Sequence, residues 1–180
     1  MLRYVTTNQG KVREAQDYLG DRVTAVEYDY MEPQATDLAE IAAYGAETCY
    51  SALPGDDPVL VDDAGLFITD LEGFPGPYSA YVENTLGIER VATLALAEEK
   101  QRAEFRAVIG FTDGSITKTF TGVVRGRIVE PRGDGGFGYD PIFAHGEQTF
   151  AEMSVSEKNA LSHRGRALEQ FADWYDESLQ

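Results

Sequence analysis

The sequence is poor in cysteine, with Cys49 the only one among 180 residues. A single cysteine cannot form an intramolecular disulfide, so a secreted scaffold built on disulfides is excluded. Histidine is also scarce, and one cysteine with two histidines, His145 and His163, argues against a zinc site. A chain of this length buries roughly two-thirds of its unfolded surface, so we expect a stable core without disulfides.

Long apolar runs are missing too. No stretch approaches the roughly 20 apolar residues that a membrane-spanning helix needs. Residues 1–20 carry charges in a helix-like pattern instead of the apolar segment of a signal peptide. We therefore expect a cytoplasmic protein without a membrane partner. The Gly-x-Ser-x-Gly elbow of many serine hydrolases is also absent.

Basic residues are few, since 15 Lys and Arg stand against 31 Asp and Glu and give a formal net charge of −16. A field of this sign repels nucleic-acid backbones, so no nucleic-acid partner is expected. Only four of the basic residues are lysines. Such a surface fits either an ordinary acidic protein or adaptation to high salt, where screening removes self-repulsion. The composition favours salt adaptation, because no acidic tail holds the excess charge.

The hydrophobic pattern predicts an α/β protein. In the first part of the chain it predicts strands over 2–6, 22–28 and 59–61, a helix over 11–19, and a helix from an Asp37 cap to about Leu53. Further along it predicts a helix over 88–99, a hairpin of strands 103–111 and 116–124, a glycine-rich loop over 131–141 and a helix over about 156–177. Strand–helix alternation followed by a hairpin indicates a mixed sheet in a single domain, 1–180.

The first segment that carries chemistry is Thr6-Thr7-Asn8-Gln9-Gly10-Lys11, between a predicted strand and a predicted helix. Such a turn presents free N–H groups and a helix N-terminus, which attract phosphate. A lysine in the first turn opposes the helix dipole unless an anionic ligand is bound there. The alternative is a plain turn with Asn8 as the N-cap and Lys11 in water, and this segment alone favours it.

The second segment is Asp62-Asp63, which follows the apolar run Val59–Val61. Ligands of open α/β sheets bind beyond the carboxyl ends of strands, and Mg²⁺ accepts one or two carboxylates together with waters and phosphate oxygens. In a strand the two side chains point to opposite faces, so only one is expected to face a site. The spacing does not decide which one. The alternative is that one aspartate caps a loop and the other is solvated.

Two later segments look like a binding site for a planar ligand. Gly133–Pro141 has four glycines in six residues, which allow close backbone approach, and two aromatic residues that can stack on a base. Lys158 and Ser162-His163-Arg164 place scarce cations near the start of the last helix, where a guanidinium suits an oxyanion or a base carbonyl. The alternatives are a flexible turn and a solvated basic patch.

Taken together and in this order, the four segments resemble the ITPase, or Ham1-like, family of nucleoside triphosphate pyrophosphatases. The resemblance extends from Thr6 to the last helix. Its most specific pieces are Asp62–Leu66, Gly73–Ala80, Gly136–Pro141 and Glu157–Leu168.

The resemblance implies an elongated mixed sheet with two lobes and a substrate cleft between them. It implies Mg²⁺-dependent hydrolysis of ITP, dITP and XTP to the monophosphate and pyrophosphate, which removes deaminated purines from the nucleotide pool. It also implies a homodimer. Two alternatives stay open: a pyrophosphatase for other modified nucleotides, and a nucleotide-binding module without turnover.

The resemblance also assigns roles to residues. Asp63 would be the catalytic carboxylate and a metal ligand, and Glu32 would be a second metal ligand. The substrate-binding positions would be Thr6, Thr7, Asn8, Lys11, Ala64, Phe137, Gly138, Tyr139, Asp140, Lys158, His163 and Arg164. Within this set, the residues of the 6–11 turn would hold the phosphates, and the residues from 137 onward would hold the base and sugar.

Three positions depart from the family pattern. Thr7 stands where the family has glycine, which is a poor fit if the position needs a positive φ. Ala64 stands where serine is frequent, so one hydroxyl contact is lost. The second helix reads Tyr44–Thr48 where many members carry a lysine, which would shift phosphate neutralisation onto Lys11, Arg164 and the metal.

Overall fold

The computed structural model describes residues 1–178. In this range the chain forms eight strands and six α-helices. They are β1 (Leu2–Val5), α1 (Gln9–Leu19), β2 (Val23–Val26), α2 (Leu38–Ala52), β3 (Val59–Ile68), β4 (Pro75–Gly76), α3 (Ser79–Thr85), α4 (Ile88–Leu96), β5 (Arg102–Thr112), β6 (Thr117–Ile128), β7 (Phe143–His145), β8 (Gln148–Thr149), α5 (Val155–Ala160) and α6 (His163–Ser178).

The eight strands form one mixed sheet, which confirms the predicted α/β class. The strand order is β2-β1-β3-β5-β6-β7-β8, with β4 paired to β3. β1 runs parallel to β2 and to β3, whereas β4 is antiparallel to β3 and β7 is antiparallel to β6. The β5–β6 turn uses Gly114 at a φ of 87°, as an Asp-Gly turn requires.

Contacts divide the chain into two compact units. The first unit contains Met1–Asp63, Ala107–Gly122 and the residues from Arg164 onward, and the second contains Ala64–Arg106 and Val123–His163. The boundary falls inside β3, β5 and β6, so each of these strands contributes residues to both units.

The core of the first unit forms because helix and strand periodicities point apolar residues inward. All four residues of β1 are buried, and α1 buries Val12, Ala15 and Leu19 on one face. Around Phe111, three aromatic rings of α6 and one of β6 pack in tilted and edge-on contacts at centroid distances of 5.2–6.4 Å.

The second unit has its own core. Its buried residues include Leu66, Ile68, Val91, Phe143 and Phe150, drawn from strands, a helix and the segment after β8. Phe105 joins this cluster, with its ring centroid 4.6 Å from that of Phe143 and 5.7 Å from that of Phe150.

Two elements differ from the sequence prediction. β3 does not end at Val61 but continues to Ile68, because Leu66 and Phe67 pair with β4 and residues 65–68 are buried. The prediction of one continuous last helix is wrong, because this segment forms two helices, α5 and α6. A turn closed by Leu161 N–H to Lys158 C=O and Ser162 N–H to Asn159 C=O separates α5 from α6. Within residues 1–178, no helix is both long and apolar enough to span a membrane.

Candidate active site

The turn between β1 and α1 is closed by its own side chains. Asn8 is the N-cap of α1, and its Oδ1 accepts hydrogen bonds from the N–H of Gly10 at 2.8 Å and of Lys11 at 3.3 Å. Thr6 Oγ1 accepts from the Asn8 N–H at 3.1 Å. Thr7 is not among the described non-glycine residues with positive φ, so the threonine in place of glycine causes no backbone strain.

Asp62 is the electrostatic centre of the first unit. Its side chain is 1% exposed and accepts from three different elements. Lys11 Nζ of α1 lies 3.0 Å from Oδ1, the Tyr4 hydroxyl of β1 donates to the same oxygen at 2.8 Å, and Arg164 Nε of α6 lies 2.8 Å from Oδ2. Arg164 also reaches Glu14 Oε2 at 3.2 Å. The sequence placed Lys11 and Arg164 among the site residues but did not predict that one carboxylate joins them.

The pKa of Asp62 follows from this network. Burial alone would raise it, but the charges of Lys11 and Arg164 outweigh burial and hold the pKa well below its usual range. Burial and the Asp62 charge both raise the pKa of the Tyr4 hydroxyl. Burial would lower the pKa of Arg164, but Asp62 holds it above its usual range. Asp62 is therefore ionised, and its partners Lys11 and Arg164 are its counter-ions.

A pocket of about 490 Å³ opens beside this network within the first unit. Its lining brings Thr6, Thr7 and Lys11 of the predicted phosphate turn together with Glu32 and Asp62. The remaining lining residues are Val5, Glu27, Tyr28, Asp29 and Tyr30. Lys11 is the only basic residue in this lining, which otherwise carries four carboxylates.

The Tyr30 hydroxyl lies in the field of several carboxylates. Burial, and then the charge of Glu32, raise the pKa of the Tyr30 hydroxyl, and the charges of Asp63 and Asp62 add to this. Asp63 is half-buried in β3 and is not one of the residues that line the pocket, although its charge acts on this phenol. The sequence analysis did not single out Tyr30, although it stands two residues before Glu32.

The carboxylates of the first unit suit a cation that needs few protein ligands. Within residues 1–178 no group of three or more His, Cys, Asp or Glu side chains could hold a metal. Asp62 is a poor ligand because both of its oxygens already accept from cations. Glu32 lines the pocket and Asp63 follows Asp62 in β3, and Mg²⁺ needs only one or two carboxylates besides water and phosphate oxygens.

In the second unit the glycine-rich loop is held by an ion pair between a buried carboxylate and a half-buried lysine. Asp140 is 2% exposed, pairs with Lys158 Nζ and accepts from the Phe137 N–H at 2.8 Å. A Cβ at Gly136, whose φ is 74°, would lie 2.1 Å from Asp140 Oδ2, so the loop requires glycine there.

The two aromatic rings of this loop differ in exposure. Phe137 is 77% exposed, and the Lys158 ammonium lies 4.4 Å from its ring centroid. Tyr139 is buried instead, and its hydroxyl donates to the Ser79 C=O at 2.9 Å. The loop therefore offers Phe137 for stacking, whereas Tyr139 anchors the loop to the start of α3. The sequence had offered both rings for stacking.

The structure divides the predicted site residues between the two units. The first unit holds Thr6, Thr7, Asn8, Lys11, Glu32, Asp63 and Arg164, and the second holds Ala64, Phe137, Gly138, Tyr139, Asp140, Lys158 and His163. The His163 ring stacks on Phe105 with centroids 5.3 Å apart and planes 15° from parallel.

The structure thus defines an α/β protein with a mixed sheet, in which a lysine-bearing turn at the N-terminus of α1 lines a pocket. The chain matches the sequence model of the Ham1 family over residues 2–174. It belongs to this family, and the resemblance carried by the four sequence segments is confirmed.

Relatives match the chain over nearly its full length. The dITP/XTP pyrophosphatase of Methanopyrus kandleri is 51% identical and is aligned over 98% of this chain and 96% of its own. That of Thermococcus kodakarensis is 48% identical over 99% of both. Among solved structures, a HAM1 protein from Coxiella burnetii has a TM-score of 0.86 at 31% identity and covers 98% of both chains.

We predict that Asp62→Asn destabilises the first unit strongly. The substitution leaves Lys11 and Arg164 without their buried counter-charge, and breaking a buried pair in this way costs about 3–5 kcal/mol. Urea unfolding at pH 7 measures the loss. The matched control is Asp176→Asn, which removes a carboxylate from an Arg22 pair whose two side chains are 56% and 40% exposed. This surface pair contributes about 1 kcal/mol or less.

The same variant tests the pKa assignment. Because the folded pKa of Asp62 lies below the ordinary 3.8, its stabilisation is complete above that value and is lost as pH falls through the folded pKa. The difference in unfolding free energy between the parent and Asp62→Asn should be constant from pH 7 to about 5 and should shrink below pH 3.8. A difference that grows as the pH falls would contradict the ion-pair network.

Proposed function

We propose that the protein is a nucleoside triphosphate pyrophosphatase that hydrolyses ITP, dITP and XTP to the monophosphate and pyrophosphate. The observation that carries this proposal is the near-complete alignment, at 51% and 48% identity, with two proteins described as dITP/XTP pyrophosphatases. The pocket at Lys11 supports it independently, since its turn, its cation and its carboxylates suit a phosphorylated ligand with a divalent ion. The reaction would remove deaminated purines from the nucleotide pool.

The phosphates are proposed to lie at the turn formed by residues 6–11. Asn8 Oδ1 fixes the first turn of α1, and Asp62 fixes the Lys11 ammonium from the other side. Lys11 has three donors, so contact with Asp62 leaves others for a phosphate oxygen. Thr6 and Thr7 add hydroxyl groups to the same pocket lining.

The proposed cofactor is Mg²⁺, held by Asp63 and Glu32. When bound, the ion would neutralise charge on the phosphate oxygens and so favour attack on phosphorus. Asp63 is also proposed to orient the attacking water and to accept its proton, because hydrolysis of an anhydride needs a positioned base. Asp62 cannot serve as that base while Lys11 and Arg164 hold its pKa far below neutral.

The site residues from Phe137 onward in the sequence are proposed to hold the base. The exposed Phe137 ring offers a stacking face, supported by Lys158. His163, and the donors of Arg164 that Asp62 and Glu14 do not use, would pair with the C6 carbonyl of hypoxanthine or xanthine. Adenine carries an amino group at C6, which would leave those donors facing a donor.

We also propose that residues 1–180 act as one functional domain, supported by a single family match over 2–174. A cytoplasmic homodimer with a small-molecule partner is proposed from the same family membership. The net charge of −16 supports the absence of a nucleic-acid or anionic-membrane partner.

A substrate panel tests the function. With Mg²⁺ present, we expect ITP and XTP to give pyrophosphate with a kcat/KM at least about tenfold above that for ATP, because one unpaired buried donor costs about 1–3 kcal/mol. Pyrophosphate release from ITP, XTP, dITP, GTP, TTP and ATP is measured in parallel. Preference for a nucleotide other than ITP, dITP and XTP would favour the second enzyme hypothesis. Binding of ITP without release at any salt concentration would favour a non-catalytic module.

We expect Asp63→Asn to lower kcat for ITP by about 100-fold or more, which is the usual contribution of a positioned acid or base. Urea unfolding should show that the fold is retained. Asp21→Asn removes a carboxylate from an exposed position outside the pocket and is the control, expected to keep the parent's kcat. An Asp63→Asn protein with the parent's turnover would refute the role given to Asp63.

We propose that the acidic surface is adapted to salt. At about 0.1 M ionic strength the Debye length is about 10 Å, so neighbouring carboxylates repel, whereas at about 1 M it is about 3 Å. We therefore expect the Tm to rise steeply between about 0.1 M and about 2 M KCl, and NaCl to act alike if screening is the cause. A flat or falling Tm would remove the salt-adaptation explanation without touching the enzymatic proposal.

A further inference from the structure

Gly45 stands in the middle of α2, where glycine is an unfavourable choice. It is buried, and it is absent from the positive-φ glycines, so its backbone conformation does not require glycine. In a helix interior glycine is the least stabilising residue after proline. The space around it explains its presence. A Cβ at this position would lie 2.5 Å from the Tyr30 hydroxyl oxygen and 2.9 Å from the ring carbons Cε2 and Cζ.

Tyr30 is thus seated directly against the backbone of α2. In this position Tyr30 is half-buried and lines the pocket together with Lys11, Glu32 and Asp62. A larger residue at position 45 would push the phenol away from its present place. Gly45 therefore acts as the positioning residue for Tyr30.

The Tyr30 hydroxyl differs from two other tyrosine hydroxyls of the protein. Tyr4 donates to Asp62, and Tyr139 donates to the Ser79 carbonyl. Across residues 1–178 no hydrogen bond of the Tyr30 hydroxyl is found. It is also not one of the fully buried polar side-chain atoms that lack a partner, so the hydroxyl keeps some exposure, and Tyr30 is one of the residues that line the pocket. A half-buried hydroxyl seated in this way is a donor prepared for a ligand.

The chemistry of the pocket indicates which part of a ligand this donor meets. Lys11 is the only basic residue of the lining, and it already contacts Asp62 at 3.0 Å. An anionic ligand therefore needs a further donor that adds no charge of its own. A phenol supplies one, because it carries its proton at neutral pH. The N-terminal end of α1 in the same lining favours a phosphate group.

We propose that Tyr30 is a substrate-binding residue whose hydroxyl donates a hydrogen bond to a phosphate oxygen of the bound nucleotide, and that Gly45 exists to seat it. This rests on the proposed pyrophosphatase function and adds a phosphate contact that the four sequence segments do not contain. Tyr30 lies in the segment between β2 and α2, and its ring occupies the space that a side chain at position 45 of α2 would fill.

Tyr30→Phe removes only the hydroxyl oxygen and is the direct test. A hydrogen bond to a charged group corresponds to a loss of about 10- to 100-fold in affinity. We expect kcat/KM for ITP to fall by that factor, with the unfolding midpoint unchanged. In the presence of Mg²⁺, calorimetry should show the same loss for inorganic pyrophosphate, whereas inosine, which has no phosphate, should bind the variant and the parent equally. Tyr44→Phe is the control, since Tyr44 neighbours Gly45 on α2 but is exposed and lies outside the pocket lining.

Gly45→Ala tests separately whether Gly45 positions the Tyr30 ring. Alanine favours the helix, so the variant should be no less stable than the parent if the ring can swing away, yet it should lose pyrophosphate affinity to a similar extent. Combined with Tyr30→Phe, the alanine should add little further loss, because both changes act through one hydroxyl. Additive losses in the double variant would show that Gly45 acts on something other than Tyr30.

Parent-like pyrophosphate affinity in Tyr30→Phe would overturn the proposal, as would an equal loss for inosine. The outcome is separable from the proposed function. If the parent binds pyrophosphate but does not hydrolyse ITP, the pyrophosphatase assignment fails, whereas the comparison of pyrophosphate binding still decides the role of Tyr30.

Discussion

A buried charge must be paired, and in this protein the pairing of Asp62 organises the first unit. β3 carries the carboxylate into a site where its side chain is 1% exposed, and the cost of that burial is offset only because α1, α6 and β1 each supply a partner. Lys11, Arg164 and Tyr4 come from distant parts of the sequence. The same carboxylate therefore stabilises the packing of three elements and fixes Lys11 in the first turn of α1.

This arrangement leaves the pocket with little positive charge to offer to an anionic ligand. It is acidic, and its one cation is already partly neutralised by Asp62. A triphosphate can bind there only with donors that do not depend on that cation alone. In the proposed function, the N-terminal end of α1, a divalent ion at Asp63 and Glu32, and the neutral hydroxyl of Tyr30 would together meet this requirement. The second unit also contains a buried carboxylate paired with a cation. Asp140 pairs with Lys158 and holds the glycine-rich loop, in which Phe137 is exposed.

Local signals predicted local structure well. Asp37 was expected to cap α2, and Asn8 was the N-cap in the alternative interpretation of the first segment; both accept hydrogen bonds from the first turn of their helix, because an N-cap depends only on residues within three positions. The length of β3 and the break between α5 and α6 were not predicted. The first depends on pairing with β4, and the second on the turn after Asn159, which an apolar helical period does not reveal. Tyr139 was offered for stacking, but its hydroxyl is taken by Ser79, sixty residues away.

The sequence by itself determined the α/β class, the acidic character, the family and the set of residue types available for phosphate, metal and base. These follow from periodicity and from contiguous motifs, which are written in neighbouring positions. Only the tertiary structure decided that the Asp62 side chain is buried and which groups pair with it, because two of its partners, Tyr4 and Arg164, stand 58 and 102 positions away. It likewise decided that Gly45 faces Tyr30. A missing side chain on a helix gives no sign in the sequence of the ring that fills its space.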